Sequence, residues 1–160
     1  MGLGVVIEVA TRYLLVILFF PFSALDKIFN FKGAVAQAKE MVPSDRPAKA
    51  LIVTGLCVEI LGPLAILTGV LDRLAAFVMA GYCGVTALLW KRFWEKDDFW
   101  SEGQSHGRDL FWDFLKNLAL AGGFLLITFG TKAGTTRDFL DDPLASSKPY
   151  QSAKGARRVK

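Results

Sequence analysis

Four blocks of about 20 consecutive, mostly apolar residues, 3–25, 50–70, 74–93 and 110–130, decide what this chain can fold into. A helix rising 1.5 Å per residue needs about that length to cross a hydrocarbon layer of roughly 30 Å. The blocks are apolar around most of their circumference, whereas a helix of a water-soluble bundle would turn a polar stripe outward. Together they take up about half of the 160 residues, and they account for 52% hydrophobic against 21% charged residues and a mean hydropathy of +0.37. Ordinary soluble domains carry about 25% charged residues. The expected fold is therefore all-α, a bundle of four transmembrane helices in a lipid bilayer. It divides into a helical domain over 1–130 and a polar, basic C-terminal tail over 131–160.

The first block lacks a basic leading segment, carries Glu8 and Arg12, and has no small-residue cleavage site before Asp26. These features predict a retained span rather than a signal peptide. Pro21 should kink or end it, with Asp26 and Lys27 at its exit into water. In the following segment, Ile28, Phe29, Phe31, Val35 and Met41 alternate with lysines up to MVPSDRP, which predicts a short amphipathic helix lying in the interface. Only Leu71, Asp72 and Arg73 separate the second and third blocks, so these form a hairpin. Trp90, Trp94, Trp100 and Trp112 fall in or beside the third connection, as an aromatic belt at head-group level requires.

Beyond Gly130 the chain carries Lys132, Arg137, Lys148, Lys154, Arg157, Arg158 and Lys160 among Gly, Ser and Pro. A free segment of this kind should be disordered, and one that is held suggests a protein partner. The basic excess of +4 comes largely from this tail and suits anionic lipid or an acidic partner rather than nucleic acid. Basic residues do not decide orientation. The side of the termini and the tight turn has nine (Arg12, Arg73 and the seven of the tail). The other side also has nine (Lys27, Lys32, Lys39, Arg46, Lys49, Lys91, Arg92, Lys96 and Arg108).

Ionisable groups inside spans are costly and become functional candidates by default. Here they are Glu8 and Arg12, Glu59, and Asp113 and Lys116, with the polar Asn117 beside the last pair. Glu8 and Arg12 are spaced i,i+4, and Asp113 has Lys116 at i+3 and Asn117 at i+4, so each acid has compensation on its own helix. Glu59 has none. It lies within about 2 Å of its helix midpoint, Arg12 about 3 Å to the terminal side and Lys116 about 6 Å to the loop side, so either cation is expected to reach it. A structural Arg12–Glu59 or Lys116–Glu59 pair is one reading, and a polar site for a quinone head group, a proton or another small molecule is the other. Small residues mark the expected packing faces: Gly55, Gly62 and Gly69 on the second helix, Ala76, Ala80 and Gly84 on the third, and Ala119, Gly122 and Gly123 on the fourth.

Several chemistries lack their residues. Cys57 and Cys83 are 26 residues apart in apolar runs and fit neither a redox pair nor a metal site. His106 is the single histidine and lies in a loop, so the chain alone offers no bis-histidine haem site, and no catalytic triad is expected around it. No phosphate-binding glycine motif is present.

The stretch RYLLVILFFPFSALDKIFNFKG, with Arg12, Phe19 and Lys27, resembles the opening helix of the DoxX family of small four-helix membrane proteins. EILGPLAILTGVLDRLAAF is similar to that family's Glu, Gly-rich and Arg-x-Ala-Ala run through Glu59, Gly62, Gly69, Arg73, Ala75 and Ala76. KNLALAGGFLLITFG resembles its Asn and Gly-Gly signature at Asn117, Gly122 and Gly123. Ala24 and Pro63 stand where glycine is common in the family. The resemblance implies a four-helix bundle associated with membrane redox systems, among them a thiosulfate:quinone oxidoreductase and a complex with superoxide dismutase and a sulfurtransferase. More distant relatives act as assembly factors or cargo receptors, and the family brings no agreed catalytic residues. The expected function is a cofactor-free accessory or anchoring subunit of a respiratory or redox complex in a bacterial-type inner membrane, with other redox subunits as partners and a pocket for quinone or lipid near Glu59. A quinone-reducing enzyme subunit is the second reading, and a small-solute carrier or assembly factor the third. Cytoplasmic termini are the orientation the resemblance implies.

Overall fold

A computed structural model of the chain describes residues 2–131 and 133–151. The four apolar blocks become four long helical spans: Leu3–Phe29, Asp45–Thr68, Asp72–Glu95 and His106–Phe129. Each is long and apolar enough to cross a bilayer, and all the described elements are helical. Leu14, Leu61, Leu88 and Leu126 are exposed on the outside of the bundle, the arrangement expected where lipid replaces water as solvent.

The first span is broken. Helix α1 (Leu3–Val16) runs into a π-type turn at Leu18–Ser23, and α2 (Ala24–Phe29) resumes beyond it. Pro21 has no N–H to give the preceding turn, and Phe20 takes extended dihedral angles (φ −126°, ψ 119°). After Asn30 the chain turns into α3 (Phe31–Lys39), whose Val35 and Ala38 bury themselves against Ala48 and Ile52 of α4 (Asp45–Thr68). Pro63 lies within α4, four residues after Glu59, so the Glu59 carbonyl lacks its usual helical donor.

Helix α4 ends at Gly69 in the left-handed conformation, φ +75°, with its N–H returned to the Ala65 carbonyl. Glycine is required twice over, because a Cβ there would also come within 3.1 Å of the Pro149 ring. The turn leads into α5 (Asp72–Trp90), and the Phe- and Trp-rich connection precedes α6 (His106–Phe129). The core joins the helices through Val16 and Phe19, Ile66, Ala76, Met79, Ala80 and Cys83, and Phe124.

The expected packing faces hold in part. Gly55 faces Tyr82, Gly62 faces Met79, Gly123 faces Leu15, and Ala76 and Ala80 are buried. Gly84 and Gly122 are different: a Cβ at either would meet nothing within 4 Å, and Ala119 is exposed. The small residues of α5 and α6 therefore lie partly on the lipid-facing side of their helices.

The segment after Gly130 is not a free tail over its described length. Helix α7 (Ala133–Asp141) buries Phe139 against Phe77 and Phe129, with ring centroids 5.8 and 5.5 Å away, and the Arg73 guanidinium lies 5.3 Å from the same ring. Residues 142–151 then cross the α4–α5 turn. Ser146 Oγ donates to the Gly69 carbonyl, Ser147 N–H donates to Asp72, and the Tyr150 hydroxyl donates to the Leu67 carbonyl. The holder is this chain's own bundle, attached at a few anchor residues that average composition hides. Lys132, Lys154, Arg157, Arg158 and Lys160 lie outside the described residues.

Candidate functional site

Glu59 projects from the middle of α4 and is 2% exposed. Its partner is Lys27 on α2, whose Nζ lies 2.8 Å from Oε1 and 3.0 Å from Oε2. Ser23 Oγ donates to Oε1 at 3.0 Å while accepting from Lys27 Nζ at 2.7 Å, and the Tyr82 hydroxyl of α5 donates to Oε1 at 2.7 Å. A carboxylate removed from water needs such compensation, and here three elements supply it. The break at Pro21 matters because α2 sets Ser23 and Lys27, one turn apart, toward α4.

This cluster walls one end of a cavity of about 420 Å³. Leu18, Phe19, Ile52 and Val85 give it an apolar lining, and Thr54, Thr86, Trp90, Lys91 and Asn117 add polar groups. Such a space, mainly apolar with a few directed polar groups, has the make-up of a small-molecule site.

A second polar network closes the opposite end of the bundle. Arg12 is buried, with Nη1 2.9 Å from Asp72 Oδ2 and 2.8 Å from the Ile66 carbonyl, Nε 2.9 Å from Glu8 Oε1, and Nη2 2.9 Å from Ser147 Oγ. Beside it, Arg73 Nε donates to the Thr128 carbonyl at 2.8 Å and Nη2 to the Thr135 carbonyl at 2.7 Å. On the loop side, Asp113 accepts from Lys91 at 3.0 Å and from Lys116 at 3.2 Å.

The local pairs Glu8–Arg12 and Asp113–Lys116 thus form as their spacing predicts. The expected long-range pairs do not. Arg12 serves Asp72 instead of Glu59, and Lys116 stays 73% exposed, paired only along its own helix. Depth alone suggested those pairings, but contact also needs the side chains to face the same interface. Asn117 does line the cavity with Glu59. Sequence reasoning missed Ser23, Lys27, Tyr82, Asp72, Ser147 and Trp90. The Ser23–Lys27 i,i+4 spacing was a usable signal, whereas Tyr82 in its apolar run gave none.

Four membrane-spanning helices around a buried Glu59 paired with the half-buried Lys27 define a small integral membrane protein with a polar intramembrane site. The DoxX family profile matches residues 2–92, more than half of the chain and all of the segment that carries Arg12, Lys27, Glu59 and Tyr82. This chain belongs to the DoxX family. No curated protein and no solved structure matches it.

Proposed function

We propose that this protein is an accessory or anchoring subunit of a respiratory or redox assembly in a bacterial-type inner membrane, and that its cavity receives a quinone or lipid. The observation that carries this reading is the 420 Å³ cavity walled by the Lys27–Glu59 cluster within the spans. A purely structural ion pair needs no such space beside it, and an amphipathic guest matches both the apolar lining and the polar groups. The redox setting follows from the family resemblance, as do cytoplasmic termini. Under this reading the chain binds no redox cofactor by itself, and the partner subunits carry it.

Mild-detergent extraction from native membranes, followed by absorbance spectra and mass spectrometry of proteins and extracted lipids, tests the reading. Co-purification with haem- or flavin-bearing subunits and a stoichiometric quinone or lipid supports it. A monodisperse chain free of both contradicts it, and quinone reduction by the isolated chain would replace it with the enzyme reading.

A further inference from the structure

A second pocket, of about 210 Å³, lies apart from the Glu59 cavity, between α3 and the start of α4. On α3, Lys32, Ala36 and Lys39 are spaced i, i+4 and i+7 and so share one face, with Val35 beside them. On α4, Asp45 and Lys49 stand one turn apart. The salt bridge between Lys39 and Asp45 shows that these two faces meet, and all of these side chains line the pocket. With Phe31, Val35 and Ala36 give it an apolar wall.

Three ammonium groups against one carboxylate leave the pocket with an excess of positive charge. Asp45 engages Lys39, and Lys49 is close enough for its charge to act on the same carboxylate. Lys32 and Lys49 form no salt bridge among the described residues, and each ammonium has three N–H donors to give. All three lysines are exposed, Lys39 by 42% of its side chain even while paired, so a ligand can reach them. Depth points the same way. Helix α4 has 24 residues, about 36 Å at 1.5 Å per residue, which exceeds a hydrocarbon layer of roughly 30 Å. Its first turn therefore lies at head-group level, and α3 is held there by Val35 and Ala38 against Ala48 and Ile52.

We infer that this pocket is a site for the phosphate of an anionic phospholipid. The phosphate oxygens accept from Lys32 and Lys49, while the glycerol and upper acyl carbons lie on Phe31, Val35 and Ala36. Basic pockets at head-group level suit such lipids, and a zwitterionic head group fits less well because the lysines repel its own cation. Free inorganic phosphate shares the anionic chemistry but leaves the apolar wall unused. The inference does not rest on a guest in the Glu59 cavity.

The test uses the full chain in nonionic detergent, titrated with phosphatidylglycerol, with phosphatidylcholine of the same acyl chains, or with inorganic phosphate. Native mass spectrometry counts the molecules bound. Phosphatidylglycerol bound about tenfold more tightly than phosphatidylcholine, with the preference lost in Lys32→Gln/Lys49→Gln, identifies the lipid phosphate. Asp45→Asn should raise that affinity severalfold, because it removes the competing carboxylate and releases Lys39. Inorganic phosphate bound as tightly as phosphatidylglycerol, and lost in the same double variant, would keep the anion site and make free phosphate its ligand. Lys116→Gln is the control, since Lys116 is 73% exposed on α6 and lies outside the pocket. An equal loss in Lys116→Gln would reduce the effect to general attraction between a basic protein and an anion, and would overturn the site. A wild type without the preference, or a double variant that keeps it, would overturn it too.

Discussion

Arg12 and Asp72 meet through a 2.9 Å contact between Nη1 and Oδ2, and the same nitrogen lies 2.8 Å from the Ile66 carbonyl. One buried guanidinium therefore ties the first span to both arms of the α4–α5 hairpin. It also reaches Glu8 and Ser147. A lysine ammonium cannot reproduce that planar fork. Arg12→Ala leaves the fully buried Asp72 without its cation and should cost about 3–5 kcal/mol of stability. Arg12→Lys should also destabilise. Chemical denaturation in detergent micelles checks both.

The strap formed by residues 142–151 depends on Ser147, which joins Asp72 through its N–H and hydroxyl and receives Arg12 Nη2. Ser147→Ala should release the strap while leaving the spans folded. Brief chymotrypsin treatment reads this directly, since the chain should be cut faster after Tyr150, whose hydroxyl is held on the Leu67 carbonyl, in the variant with no change in helical circular dichroism. Equal cutting rates would show that other contacts hold the strap.

Two glycines that look alike in sequence should respond in opposite ways. At Gly62 a Cβ would fall 2.7 Å from Met79 Sδ, and Gly62→Leu should overpack the α4–α5 contact at a cost of about 1–3 kcal/mol. At Gly122 nothing lies within 4 Å, and Gly122→Ala should be neutral or stabilise by up to about 1 kcal/mol through helix propensity. Thermal unfolding of the two variants side by side decides the matter.

The four spans were legible because apolar content over 20 residues is a local property that survives any tertiary arrangement. The polar centre was legible only as a list of costly residues. Which of them meet depends on rotation about each helix axis and on where a helix breaks. Pro21 was expected to kink or end the first span; it kinks it, and the chain continues as α2, which carries Lys27 back to Glu59. Lys27 looked like an exit into water. Asp72 was legible only as part of the tight turn, because nothing local shows that Arg12 and the strap cover it. The tail was misread for a related reason: Phe139, Ser147 and Tyr150 anchor it singly, and single anchors do not change a composition.

Outside the spans, Asp98 controls the start of α6. Desolvation alone would raise its carboxyl pKa, but the backbone N–H groups of Gly107 at 2.9 Å and His106 at 2.6 Å outweigh that and hold it below the ordinary carboxylate range. A carboxyl depressed on folding stabilises the fold above its unfolded pKa of about 3.9, and that contribution fades as pH falls through the lower folded value. The amides of 106–108 should accordingly exchange faster with deuterium as pH drops below about 4, after correction for the intrinsic rate. In Asp98→Asn they should exchange faster at neutral pH and lose that acid dependence.

The Lys27–Glu59 pair is tested most directly by double-mutant cycles on unfolding in micelles, with Lys27→Met against Glu59→Gln, and Arg12→Met against Glu59→Gln as the comparison. Lys27→Met leaves a buried carboxylate uncompensated, so it should destabilise by about 3–5 kcal/mol and the double variant should recover much of the loss. The Arg12 cycle should be additive within about 0.5 kcal/mol. Additivity for Lys27 with Glu59, or strong coupling of Arg12 to Glu59, would contradict the polar centre described here.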